Sequence, residues 1–134
     1  MIKDEFEIKK LVLQRLNELK LFSKVKFVIL FGSVSKGKSN PLSDIDICVS
    51  LSSSSKERLK ARIKLLGNLP EKYDIQIFED LPLYIQKEVL SGNLLYCKNK
   101  KNLVQLALKV IQEYDDFKPI YDFYLSQRKE SVKI

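Results

Sequence analysis

Asp44-Ile45-Asp46 opens a stretch that is otherwise apolar, Ile47-Cys48-Val49-Ser50-Leu51. Upstream, the run Val28-Ile29-Leu30-Phe31 ends in Gly32-Ser33. A strand sends alternate side chains to opposite faces. Ile45, Ile47 and Val49 therefore share one face, and Asp44, Asp46 and Cys48 the other. The strand rise sets the two aspartates roughly 6–7 Å apart along the backbone. Two carboxylates side by side on an apolar strand are costly unless something cationic neutralises them. A pair of divalent ions about 3.5–4 Å apart would do so and would also bind a nucleoside triphosphate.

The rest of the composition narrows the chemistry. The chain contains no histidine, which excludes His-based catalysis and His-ligated zinc; a metal must rest on oxygens, pointing to Mg²⁺ or Mn²⁺. The net charge of +7 favours anionic ligands such as nucleotides, RNA or an acidic protein surface. The lysines are dispersed and no arginine block appears, so much of that charge reads as a solvated surface. The 134 residues fit one domain, and no apolar run approaches the ~20 residues of a membrane span. Met1 to Glu5 lacks the apolar core of a signal peptide, so a cytoplasmic location without membrane contact is expected. Cys48 and Cys97 are expected as buried free thiols.

Periodicity predicts a helix from about Asp4 to Leu21, a strand over Lys24 to Phe31 and a polar loop over Gly32 to Ser43. A second strand follows over Asp44 to Leu51, then a helix from about Lys56 to Leu66 with the serine run Ser52–Ser55 before it as a cap. Tyr73 to Phe78 reads as a third strand, Leu81 to Leu90 as a short helix and Asn93 to Cys97 as a fourth strand. Asn99 to Phe117 reads as a helix that Pro119 should break or kink before a last helix, Ile120 to about Lys129. This order predicts an α/β (α+β) fold, a small mixed sheet of about four strands with helices mainly on one face. Residues 1–98 would form the main domain and 99–134 a C-terminal helical extension of it.

Asp74 begins the third strand and completes an acidic face if that strand neighbours the second. It would then serve as a metal ligand or as a base toward an attacking hydroxyl. Gly32 permits close approach of backbone N–H groups to a phosphate, and the Ser33 hydroxyl adds a hydrogen bond. Lys36 and Lys38 could offset phosphate charge as mobile point charges. The loop is not a Walker loop, since no G-x-x-x-x-G-K-[ST] occurs.

Phe31-Gly32-Ser33-Val34-Ser35-Lys36-Gly37 followed by Ser43-Asp44-Ile45-Asp46-Ile47 resembles the signature of the DNA polymerase beta-like nucleotidyltransferase superfamily, and within it the minimal nucleotidyltransferase (MNT) branch. The resemblance, carried by about residues 25–78, implies the polymerase beta-like fold and transfer of a nucleoside monophosphate, AMP from ATP foremost, to a hydroxyl. It implies nucleotide binding by Gly32, Ser33, Lys36 and Ser43, and two Mg²⁺ ions (or Mn²⁺) held by Asp44, Asp46 and Asp74, the catalytic carboxylates. Lys36 stands where many minimal members have arginine, keeping the charge but not the bidentate phosphate geometry. The resemblance also implies a HEPN-type toxin as protein partner in a toxin–antitoxin pair. A homo-oligomer and an RNA acceptor are the other partners consistent with it, and a non-catalytic antitoxin that masks its partner by contact is the alternative function.

Tyr114, Phe117, Tyr121 and Tyr124 form an aromatic stripe at helical spacing across Pro119. It is expected to pack back on the sheet; a partner or dimer surface is the other reading. Asp115-Asp116 reads as solvated surface and Glu79-Asp80 as a strand end.

Overall fold

Four consecutive residues of strand β1 (Val25–Phe31), Phe27 to Leu30, are buried. Neighbouring strand residues face opposite ways, so an unbroken buried run needs cover on both faces of the sheet. In the computed structural model, which describes residues 5–32 and 44–132 with side chains as far as residue 127, β1 has that cover. It pairs antiparallel with β2 (Ile45–Leu51) on one side and with β4 (Asn93–Cys97) on the other. The last strand, β3 (Tyr73–Ile77), runs parallel to β2, giving a mixed sheet in the order β3-β2-β1-β4.

The larger core lies on one face. Helix α1 (Glu5–Glu18) sets Ile8, Val12 and Leu16 one turn apart, and α2 (Ser55–Gly67) adds Ala61 and Leu65. They cover Val28, Leu30, Ile47, Val49 and Ile75. Ser54 caps α2, its hydroxyl accepting from the Glu57 N–H at 3.3 Å. From α2, Arg62 Nε donates to the Ile75 carbonyl at 2.7 Å, covering a backbone acceptor on the edge strand β3.

The predicted one-sided helical layer is thus present as α1 and α2, but the opposite face is covered too. There α3 (Leu83–Leu90) and the start of α4 (Lys100–Val132) close a smaller cluster of Phe27, Ile29, Cys48, Phe78, Val89 and Val110. On this face β1 presents Phe27 and Ile29 and β2 presents Cys48, all buried, which is why a second layer is required. Both cysteines are free; Cys48 is buried, whereas Cys97 is only half-buried. Among the described residues no helix is long and apolar enough to cross a membrane.

Two expectations for the C-terminal part are corrected. Pro119 does not end its helix: α4 continues through it. Proline removes one i→i−4 bond, but the flanking backbone lies on an exposed stretch where water can take the orphaned carbonyl, and Lys118 bonds Asp122 at 2.9 Å across the site. The aromatic stripe does not fold back on the sheet either. Phe117 is 56% exposed, Tyr121 41% and Tyr124 61%. The continuation of α4 carries them beyond Leu103, Leu106 and Val110, which pack against the cluster over the sheet.

Glu79, in the short 3₁₀ turn after β3, ties down the far end of β2. It accepts from the hydroxyl of the buried Ser50 and from the Leu51 N–H at 3.0 Å, with Lys26 Nζ 3.6 Å away. Removing it leaves two donors unsatisfied in a largely dry setting. Glu79→Ala is expected to lower unfolding free energy in urea melts by about 2–3 kcal/mol.

Candidate active site

Where β1 ends, Phe31 stands opposite Asp46 of β2. The chain then turns at Gly32, whose φ of +79° lies in the left-handed region that side chains disfavour. Space makes a second demand: a Cβ built on Gly32 would overlap Oδ2 of Asp46. The glycine is therefore both the turn residue and the wall against which the Asp46 carboxylate rests.

On its other side Asp46 is in direct register with Asp74 of β3. Neighbouring strands lie about 4.8 Å apart, so residues paired in register place their side chains together on one face. The Ile45 N–H, donating to the Lys72 carbonyl at 2.8 Å, fixes this end of the pair. Asp44 precedes β2 and is exposed, while Asp46 and Asp74 are half-buried. Burial raises the Asp46 carboxyl above its ordinary value of 3.8, and the charges of Asp74 and then Asp44 push it further the same way. Behind Asp74, Gln76 Nε2 donates to its Oδ2 at 3.1 Å.

The predicted residues Gly32, Asp44, Asp46 and Asp74 are thus gathered at one end of the sheet. Ser33, Lys36 and Ser43, expected to contact nucleotide, lie outside the described residues, as does Lys38. Two features went unread in the sequence. Gln76 follows Asp74 by two, the same alternation that relates Asp44 to Asp46, and that spacing was the available signal for its contact with Asp74. The packing of Gly32 on Asp46 has no local signal, because it depends on the β1–β2 register.

Among the described residues no three acidic side chains meet as a preformed metal cage. The donor chemistry nevertheless suits a hard divalent cation. The groups are all carboxylate oxygens, they repel one another, and burial together with its neighbours' charge makes the middle one hold its proton more readily. Asp44, Asp46 and Asp74 are the residues that would hold such an ion, and it would supply charge neutralisation toward a phosphate.

Residues 14–101 match the family described as Polymerase beta, Nucleotidyltransferase. The chain belongs to that family. It is accordingly a nucleotidyltransferase, and its mixed sheet with a long C-terminal helix is the polymerase beta-like fold. A relative from Methanocaldococcus jannaschii, named as protein adenylyltransferase MJ1547, is 36% identical over 99 residues, covering 74% of this chain and 71% of the relative. Among solved structures, a toxin–antitoxin complex with AMP-PNP contains a chain that superposes with a TM-score of 0.67 at 22% identity, over 87% of this chain and 98% of that one. A complex of tri-AMPylated Shewanella oneidensis HEPN toxin with MNT antitoxin gives 0.61 at 21% identity, over 87% and 98%. At these identities the likeness is one of fold, and it extends over nearly the whole of each matched chain.

Proposed function

We propose that this nucleotidyltransferase moves AMP from Mg·ATP to a hydroxyl of a partner protein and so acts as the antitoxin of a toxin–antitoxin pair. The observation that carries the proposal is the in-register pair Asp46–Asp74, with Asp44 beside it and Gly32 against it. The name of the archaeal relative supports protein as the acceptor. The fold neighbours come from toxin–antitoxin complexes, one with an ATP analogue and one with an AMPylated toxin, which supports ATP as donor and a HEPN-type toxin as partner.

In the proposed reaction the acceptor oxygen bonds to the α-phosphorus of ATP, the bond from that phosphorus to the bridging oxygen breaks, and pyrophosphate leaves. Asp44 and Asp46 would hold Mg²⁺, which would supply neutralisation of the charge that develops on the phosphates. Asp74 completes the set. Through the carboxylate oxygen that Gln76 does not engage, it receives the hydroxyl proton. Gln76 keeps that carboxylate oriented.

Incubation with Mg·ATP and the product of the adjacent gene tests this. Mass spectrometry is expected to find one or more adenylyl groups on a hydroxyl side chain of that product. Calorimetry showing no binding of any Mg·NTP, with or without the partner, overturns it. The exposed aromatic half of α4 favours a second reading, neutralisation by contact alone. It predicts that the double variant Asp44→Asn, Asp46→Asn still silences the partner, whereas the catalytic reading predicts that it does not.

A further inference from the structure

Among the described residues β3 is an edge strand, with β2 on one side of it and no strand on the other. Beside that edge, between α2 and the end of β3, lies a depression of about 390 Å³ whose walls include Leu59, Arg62, Gln76, Ile77, Asp80 and Leu81. Two features tie it to the reaction. Gln76 forms part of the wall and donates to Asp74 at 3.1 Å, so one side chain borders both the depression and the carboxylate pair. The sheet order supplies the other. Gly32 abuts Asp46 from the β1 side, Asp74 stands on the far side of Asp46, and beyond Asp74 only the open edge remains. An acceptor that brings a hydroxyl to Asp74, with nucleotide on the Gly32 side, therefore comes in over this edge.

The depression holds an unspent cation. Arg62 Nε donates to the Ile75 carbonyl at 2.7 Å, which pins the guanidinium in place. Among the described residues its two terminal nitrogens have no partner, and they present the flat fork that fits a carboxylate. Asp80, the carboxylate in the wall, is already taken by Arg58 through bonds of 2.8–3.2 Å. Glu79 beside it is engaged by Ser50, the Leu51 N–H and Lys26. Along α2, Lys56, Arg58, Lys60, Arg62 and Lys64 stand against Glu57 alone, so the surround of the fork is positive. No aromatic side chain lines the depression, which leaves the bases of a nucleic-acid strand nothing to stack on.

We propose that this depression is a specificity subsite for the acceptor protein: Arg62 binds the carboxylate of an Asp or Glu that lies close in sequence to the hydroxyl being modified. The step from Asp74 to Gln76 covers about 6–7 Å, which an extended acceptor spans in about two or three residues. The inference rests on the reading that Asp74 receives the proton of a protein hydroxyl, and it names the residue that accompanies that hydroxyl.

Arg62 also anchors β3, so the test leaves it in place and fills its fork from within the chain. Leu59 is 56% exposed and precedes Arg62 by one helical turn, so Leu59→Glu sets a carboxylate at pairing distance from the guanidinium. Ile63→Glu makes the same charge change at a 60% exposed position of α2 outside the depression. With the full chain, Mg·ATP and the product of the adjacent gene as acceptor, Leu59→Glu is expected to raise the acceptor KM at least about 10-fold, with kcat and the KM for Mg·ATP within about two-fold of wild type. Ile63→Glu should leave all three near wild type. Mass spectrometry of the product is expected to find Asp or Glu within about three residues of the adenylylated one. Changing that acid to its amide should raise KM in the wild type and add nothing in Leu59→Glu. An acceptor KM or affinity unchanged in Leu59→Glu, an equal rise in Ile63→Glu, or no acid near the modified residue overturns the proposal. Calorimetry of the same proteins with the acceptor, without ATP, separates it from the catalytic reading. Binding that Leu59→Glu weakens and Ile63→Glu does not, in a protein that transfers nothing, leaves the subsite standing and removes the catalytic reading. Transfer that Leu59→Glu leaves untouched does the reverse, and neither binding nor transfer by the wild type overturns both.

Discussion

Asp46→Asn is expected to remove nucleotidyl transfer while making the metal-free protein more stable at neutral pH. Both effects arise from one position. Asp46 is flanked by Asp74 in register and by Asp44 two residues earlier, and burial and these charges raise its carboxyl above 3.8. A carboxyl raised in the folded state binds its proton more tightly there than in the unfolded chain. Stability therefore falls as pH rises from the unfolded value through the folded one, and above that window the ionised group carries its full cost. Asparagine has nearly the same shape and no charge. Thermal melts in EDTA at pH 7 should show the variant above the wild type, and the gap should close below pH 3.8, where both side chains are neutral. Saturating Mg·ATP should reverse the order, since a ligand at 100 times its Kd stabilises by about 2.7 kcal/mol and the variant lacks the central carboxylate of the proposed metal site. Transfer should drop by at least about 10²–10³-fold, the scale seen when one preorganised electrostatic group is removed. A variant that is less stable in EDTA, or one that keeps its transfer rate, contradicts this account of the site.

The part of this site legible in the sequence is the part governed by alternation. Asp44, Asp46 and the strand that holds them follow from the apolar residues between them, and the strands were readable because Val, Ile and Phe cluster in short runs. The pairing of Asp46 with Asp74 was conditional on the two strands being neighbours, and the parallel register supplies that condition. What alternation cannot tell is which faces acquire cover. Phe27, Ile29 and Cys48 give the second face of the sheet its own core, and α3 with the start of α4 exists to close it. Helical periodicity likewise marked the stripe from Tyr114 to Tyr124 as apolar but could not say where the sheet beneath it stops. The proline between them was a poor guide to where the helix ends, because an exposed helix can lose one hydrogen bond to Pro119 and still continue.

Gly32→Ala should do more damage than its single methyl suggests, and Gly67→Ala serves as the contrast. At Gly67, the last residue of α2, an added Cβ meets nothing within 4 Å. Alanine there should be neutral or stabilising, by up to about 1 kcal/mol from helix propensity. At Gly32 two penalties combine. The φ of +79° costs a side-chain-bearing residue about 1–2 kcal/mol. The methyl group also collides with Oδ2 of Asp46, and the Asp46 γ-carbon lies only 3.1 Å from where it would sit. The carboxylate can swing away, which limits the loss of stability but takes Asp46 out of line with Asp74. Mg·ATP affinity and transfer are therefore expected to fall together, by about 10–100-fold, the range known for residues that orient metal ligands. A double-mutant cycle separates the penalties. In an Asp46→Ala background the carboxylate is gone, and the remaining neighbour, the Asp46 β-carbon at 3.4 Å, is an ordinary contact. The backbone penalty should persist there and the collision should vanish. If Gly32→Ala costs as much stability beside Ala at position 46 as beside Asp, crowding of the carboxylate is not what the glycine avoids, and only the turn requires it.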